Sequence, residues 1–133
     1  VILDSSAVLA VVRREAGWRV ITRILAEAPE VAIGAPTLVE IAIVAEARLG
    51  VDGAELAARF VDDYGVVVVE FGDAHWIEAH RAFARFGKGR HAAALNFGDC
   101  LTYAVAKVAA QPLLCVGDDF PQTDLALVMD TNP

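Results

Sequence analysis

Cysteine occurs only twice in this sequence, at Cys100 and Cys115, and both stand among apolar neighbours. A disulfide framework is therefore not expected; the pair reads as two reduced core thiols, which suits a cytoplasmic protein. Nor is there an apolar run near the roughly 20 residues that cross a bilayer. VILDSS, at the start, lacks the basic flank and apolar segment of a signal peptide and reads as a strand from its first residue. Repeats, low-complexity tracts and linkers are missing too. Positive charge is scarce: 11 Lys and Arg face 18 Asp and Glu, for a net charge of −7. That balance argues at first against a nucleic-acid partner.

What is present is enough apolar residue, 56% of 133, to exclude disorder and to build one core in a single domain, 1–133. The scarcity of acids also has a local form. Between Ala79 and Gly98 there is no Asp or Glu, while His80, Arg81, Arg85, Lys88, Arg90 and His91 all fall there. The plain reading of this basic island is a solvated loop.

Periodicity divides the chain into alternating strands and helices. VILD is a short buried strand, followed by a helix through SSAVLAVV and a second from Trp18 to Ala28. VAI is the next strand, Gly34 turns the chain, and Pro36 opens a helix at its first position that stops at Gly50. Another helix covers Ala54 to Asp63, and VVVVEF is a β-branched strand. Asp73 is expected to cap a helix through Phe86, and GKGRHAAALN to form a loop. Asn96 is placed to cap a helix that ends near Ala110, before the strand LLCV and a last short strand at LALV. Strands that are apolar throughout and separated by helices predict an α/β fold, a parallel sheet covered on both faces. Ligands of such sheets bind beyond the carboxyl ends of the strands, where strand order reverses.

Four acidic sites compete for that position. Asp4 ends the first strand, where an Asp also caps helices. Glu40 is surrounded at helical spacing by Pro36, Thr37, Ile43 and Val44, so its carboxylate lacks an obvious partner. Glu46 and Glu55, by contrast, have Arg48 and Arg59 nearby and read as surface charges. Asp99 lies at the mouth of an otherwise apolar helix, directly behind Gly98; a dipole role explains an acid there but not the glycine. Asp118 and Asp119 follow the strand LLCV, where acids are also common turn residues. Carboxylates converging on one cleft repel each other unless a cation joins them, and such oxygen ligands suit Mg²⁺ or Mn²⁺ rather than zinc. His75, His80 and His91 follow no zinc-ligand spacing.

DSSA at Asp4, LVEIAIVAEARLG around Glu40, GKGRHAAALNFGDCLTYAVA and GDDFPQTDL together resemble the PIN-domain ribonuclease toxins of the VapC family, over nearly the whole chain. The resemblance implies a three-layer α/β/α PIN-like domain with a central parallel sheet. It also implies that Asp4, Glu40 and Asp99 form a catalytic cluster binding Mg²⁺ or Mn²⁺. The later acid of the family falls at Asp119, which directly precedes Phe120, or at Asp118. Ser6 matches the small hydroxyl residue that accompanies the first Asp. The implied reaction is metal-assisted hydrolysis of RNA, of the tRNA or rRNA class, by in-line displacement. The basic island then acquires a use: Lys88, Arg90 and His91 would hold RNA phosphates beside the acids. A VapB-like antitoxin and a homodimer are the implied protein partners. Some apolar positions on the first two helices (Val8, Leu9, Val12, Ile21, Ile24, Leu25) would accept the antitoxin.

Two Mg²⁺-dependent rivals fail on residues. A haloacid-dehalogenase-type phosphatase needs a second Asp where Ser6 stands, and a receiver domain needs paired acids after its first strand. The alternative outside enzymology is a non-catalytic module whose acid pocket receives an arginine of a protein partner.

Overall fold

A computed structural model describes residues 1–128, so the last five residues of the single-domain span lie outside the described residues. The strands are Ile2–Leu3 (β1), Ala32–Gly34 (β2), Val67–Val69 (β3) and Leu113–Leu114 (β4). All pairings are parallel, in the order β3-β2-β1-β4. The helices are Ser5–Val12 (α1), Trp18–Glu27 (α2), Ala35–Leu49 (α3), Gly53–Tyr64 (α4), Asp73–Phe86 (α5) and Phe97–Ala109 (α6). A 3₁₀ turn follows at Phe120–Gln122.

Strand alternation splits the core in two. Ile2, Ala32 and Leu113 face a cluster with Phe86, Tyr103 and Val105, which α5 and α6 supply, and Leu95 from the loop between those helices. Leu3, Ile33 and Leu114 face the other way, onto Val8, Ile21, Leu25, Ile41 and Phe60 from α1 to α4. The result is the expected three-layer α/β/α arrangement. Of the six apolar positions on α1 and α2, Val8, Ile21 and Leu25 belong to that core, while Leu9, Val12 and Ile24 are half-buried.

Several expectations need correction. The VVVVEF strand is shorter than its β-branched run and is not covered on both faces: Val67 and Val68 are 48% and 43% exposed. As an outer strand, β3 is hydrogen-bonded only to β2. LALV forms a single bridge, Leu113 to Leu127, rather than a strand. Pro36 is the second residue of α3, which begins at Ala35. Gly72, not Asp73, is the N-cap of α5; the Asp73 carboxylate instead accepts from Trp76 Nε1 at 3.2 Å.

Asp124 anchors the final segment to α5 and α6. Tyr103 Oη donates to Asp124 Oδ1 at 2.6 Å, and Lys107 Nζ lies 2.9 Å from Oδ2 with Arg85 Nη1 at 3.3 Å. Burial and this carboxylate hold the Tyr103 phenol well above its ordinary pKa. Tyr103→Phe removes one charge-assisted bond but leaves both cations on Asp124. A loss of about 1–2 kcal/mol in denaturant unfolding is therefore expected.

Candidate active site

The strand order sets the place. β1 runs to β2 and β3 on one side, and β4 returns to the other side of β1. The switch point thus lies between the carboxyl ends of β1 and β4. Asp4 follows β1 and Asp119 follows β4, so two acids flank the switch directly. α3 leaves the carboxyl end of β2 carrying Glu40 in its second turn. α6 precedes a parallel strand and runs back across the sheet, which brings its N-terminus and Asp99 to the same edge. Asp4, Glu40, Asp99 and Asp119 together line one cleft of about 390 Å³.

Each acid is held differently. Asp4 is 5% exposed and caps α1: its Oδ2 accepts from Ser6 N at 3.1 Å and Ser6 Oγ at 2.5 Å. The Ser6 hydroxyl also accepts from Val116 N at 3.0 Å, tying the segment just after β4 to Asp4. Ser6 lines the cleft, but its hydroxyl is engaged in orienting Asp4. Asp99 is half-buried in a capping box: Asn96 Oδ1 accepts from Asp99 N at 2.9 Å, and Asp99 Oδ2 accepts from Asn96 N at 3.0 Å. Its second oxygen makes no hydrogen bond within the described residues.

Gly98 explains the rest of the Asp99 pattern. A Cβ at this position would overlap Glu40 Oε2 and stand 3.2 Å from Glu40 Cδ. The glycine leaves room for the Glu40 carboxylate against the first turn of α6. Deeper in the same helix pair, Thr37 and Thr102 hydroxyls meet at 3.3 Å, both buried. A Cβ on Gly34 would stand 2.8 Å from Val105 Cγ2, so α3 and α6 approach closely at that end as well.

The electrostatics agree with one shared site. Burial pushes the Asp99 carboxyl up to about 6, the bond from Asn96 N opposes this, and the charges of Asp4, Asp119 and Glu40 add to it. The Cys115 thiol is pushed up to about 12, first by burial and then by Asp4, Asp119 and Asp99.

The basic island does not line this cleft. Its loop is closed by a Gly87–Leu95 bridge. Arg90 stacks over Phe83 at 5.5 Å, while His91 meets Phe86 edge-on and accepts from Ala93 N through Nδ1. Lys88 is exposed on the same loop, and Asp118 lies outside the cleft that Asp119 lines. Two other cations do line it: Arg13, at the end of α1, and Arg48, in the last turn of α3. Arg48 forms no pair with Glu46, whose Oε1 accepts from Gly53 N at 3.2 Å instead. The signal for Arg48 was present in the sequence as the four-residue spacing Glu40, Val44, Arg48.

Four carboxylates form an oxygen-only donor set with no positive charge of its own, which fits a hard divalent cation. As placed, no three His, Cys, Asp or Glu side chains among the described residues close into a group able to hold a metal ion. The donor chemistry fits; the coordination shell is not preformed.

A PIN-domain family model matches residues 1–125. Ribonuclease VapC36 of Mycobacterium tuberculosis is 47% identical over 125 residues, 93% of this chain and 90% of that protein. The crystal structure of Mycobacterium tuberculosis VapC20, described as a sarcin-ricin loop cleaving toxin, shares the fold. Its TM-score is 0.75 at 20% identity, over 96% of this chain and 97% of that one. VapBC2 from Rickettsia felis, bound to a DNA fragment from its promoter, gives 0.65 at 14% identity over 95% of each chain. The matched span, the identity across it and the shared fold place this chain in the PIN-domain family, among its VapC ribonucleases.

Proposed function

We propose that the chain hydrolyses RNA phosphodiester bonds with Mg²⁺ or Mn²⁺, as the toxin of a cytoplasmic toxin–antitoxin pair. The observation that carries this reading is the meeting of Asp4, Glu40, Asp99 and Asp119, from four separate elements, in one cleft at the switch point. Asp4, Asp99 and Glu40 would hold the cation, and Asp119, more exposed at the rim, would support it from outside. When bound, the cation supplies Lewis-acid neutralisation of charge on the phosphoryl oxygens. The chain's own contribution is to orient the donors: Ser6 aims Asp4, Asn96 aims Asp99, and Gly98 admits Glu40. Cleavage of tRNA and rRNA by the purified protein, with and without Mg²⁺, Mn²⁺ or chelator, tests it. Cation-independent cleavage, or none with either metal, overturns it.

The open carboxylate arrangement favours one second reading, a pocket for a partner's guanidinium without catalysis. Metal-dependent cleavage separates the two.

Protein partners follow from exposed apolar surface. Val39, Ile43 and Phe97 are 58%, 61% and 79% exposed and line a hollow of about 270 Å³ with Leu101. Phe97 also borders a second hollow, with Trp76 and Phe83. A small acidic chain has little reason to expose this much apolar area unless a second copy covers it. The half-buried Val12 and Ile24 offer a separate surface to a VapB-like antitoxin, while Leu9 lines the acidic cleft. Light scattering should therefore give a homodimer mass, and Phe97→Ser should shift it toward monomer. A monomeric parent at every accessible concentration would rule the homodimer out.

A further inference from the structure

Away from the carboxylates, the cleft continues as a groove between α1 and α3. Its walls repeat every four residues: Ser5, Leu9 and Arg13 on α1, and Glu40, Val44 and Arg48 on α3. Both helices start at the carboxyl ends of neighbouring parallel strands, so both walls run from the acidic end in the same sense. Two helical repeats of four residues at the α-helical rise set each arginine about 12 Å beyond the acids. The groove is therefore acidic at one end and carries two arginines at the other, where Glu15 also lines it.

Neither arginine is tied down. Arg13 Nη1 lies 3.3 Å from Glu15 Oε1, but both side chains are exposed, 37% and 47%, and such a pair is weak. Among the described residues, no carboxylate lies within ion-pair distance of Arg48. A helix-dipole role accounts for a cation in the last turn of α3, but not for two arginines from different helices facing the same groove. A polyanion entering a cleft lined by five acids, Glu15 among them, needs a cationic hold nearby. Guanidinium groups take phosphate oxygens in a two-pronged geometry.

We propose that Arg13 and Arg48 form a phosphate subsite for single-stranded RNA, several nucleotides along the strand from the bond that is cut. One strand of a duplex advances about 3.4 Å per nucleotide along its axis, so the spacing corresponds to at most about three or four nucleotides, and fewer in an extended strand. The subsite rests on the RNA-cleaving reading above and extends it from chemistry to substrate grip.

Binding of a fluorescent, unstructured oligoribonucleotide tests it without requiring cleavage. In a salt titration, Arg13→Gln/Arg48→Gln should flatten the dependence of log K on log salt by about 0.7 for each phosphate that is no longer neutralised. For cleavage, the double variant should raise KM about tenfold or more on a long RNA while kcat changes little. A dinucleotide too short to reach the arginines should be cut equally by parent and variant. Arg48→Lys should recover part of the binding, which a folding defect would not allow. An unchanged slope, or a loss reproduced by Lys88→Gln/Arg90→Gln alone, overturns the subsite. So does a double variant that keeps RNA binding and loses only an acidic protein partner. A parent that binds RNA with the predicted slope but never cleaves it overturns the catalytic reading and leaves the subsite standing.

Discussion

Asp99→Asn is expected to abolish cation-dependent RNA cleavage and, without metal, to raise the melting temperature. The substitution preserves the capping box, because an amide oxygen can still accept from Asn96 N, which donates to the carboxylate at 3.0 Å. It removes the charge that a cation requires. Loss of an outer partner of a metal site costs roughly 10–100-fold, so loss of a direct donor should reach a hundredfold or more. The stability change has the opposite sign. In the fold, the Asp99 carboxyl titrates near 6 against an ordinary 3.8. Below the lower value it is protonated in both folded and unfolded chains and has no effect. As pH rises between the two, the folded state holds the proton more tightly, so stability falls. Above about 6 the full penalty persists. Discounted for solvent screening at a half-buried site, that penalty is about 1–2 kcal/mol. Asp99→Asn relieves it at neutral pH, by a few degrees in thermal unfolding. The parent should also lose cleavage on the acid side of about pH 6, most steeply at limiting Mg²⁺, because proton and cation compete for one carboxylate. Full activity in Asp99→Asn would remove this residue from the metal site.

Gly98→Ala separates activity from stability in a second way. Alanine favours a helix over glycine by up to ~1 kcal/mol, so the fold should be as stable as the parent or slightly more so. The added methyl overlaps Glu40 Oε2, which lies at the far end of a flexible side chain. The carboxylate should swing aside while the helices stay in place. A misplacement of about 1 Å in such a group costs up to about 10²-fold, so cleavage should fall by one to two orders of magnitude. Melting and cleavage of the same preparation, with Mg²⁺ titrated, provide the comparison. Parental cleavage in Gly98→Ala would mean that the position of Glu40 against α6 does not matter to the reaction.

Most elements were legible in the sequence because near neighbours decide them. The apolar runs at Ile2/Leu3 and Ile33 mark strands, Gly50 closes α3 in a left-handed conformation at φ 64, and Asn96 caps α6. The isolated apolar setting of Glu40 and the glycine before Asp99 were visible for the same reason. Coverage of β3 was not: a β-branched run reads alike in a central or an outer strand, and only strand order distinguishes them. The same limit applied to the cations. Charge on Lys88, Arg90 and His91 is a local fact, but their distance from the acids depends on how a closed loop packs against α5. Asp118 and Asp119 are adjacent in sequence, yet only Asp119 lines the cleft. Local chemistry along the chain dictated which segments fold and which acids lack nearby partners. Which side chains share a cleft was settled in three dimensions, because its walls are α1, α3 and α6, brought side by side only by the β3-β2-β1-β4 order of the sheet.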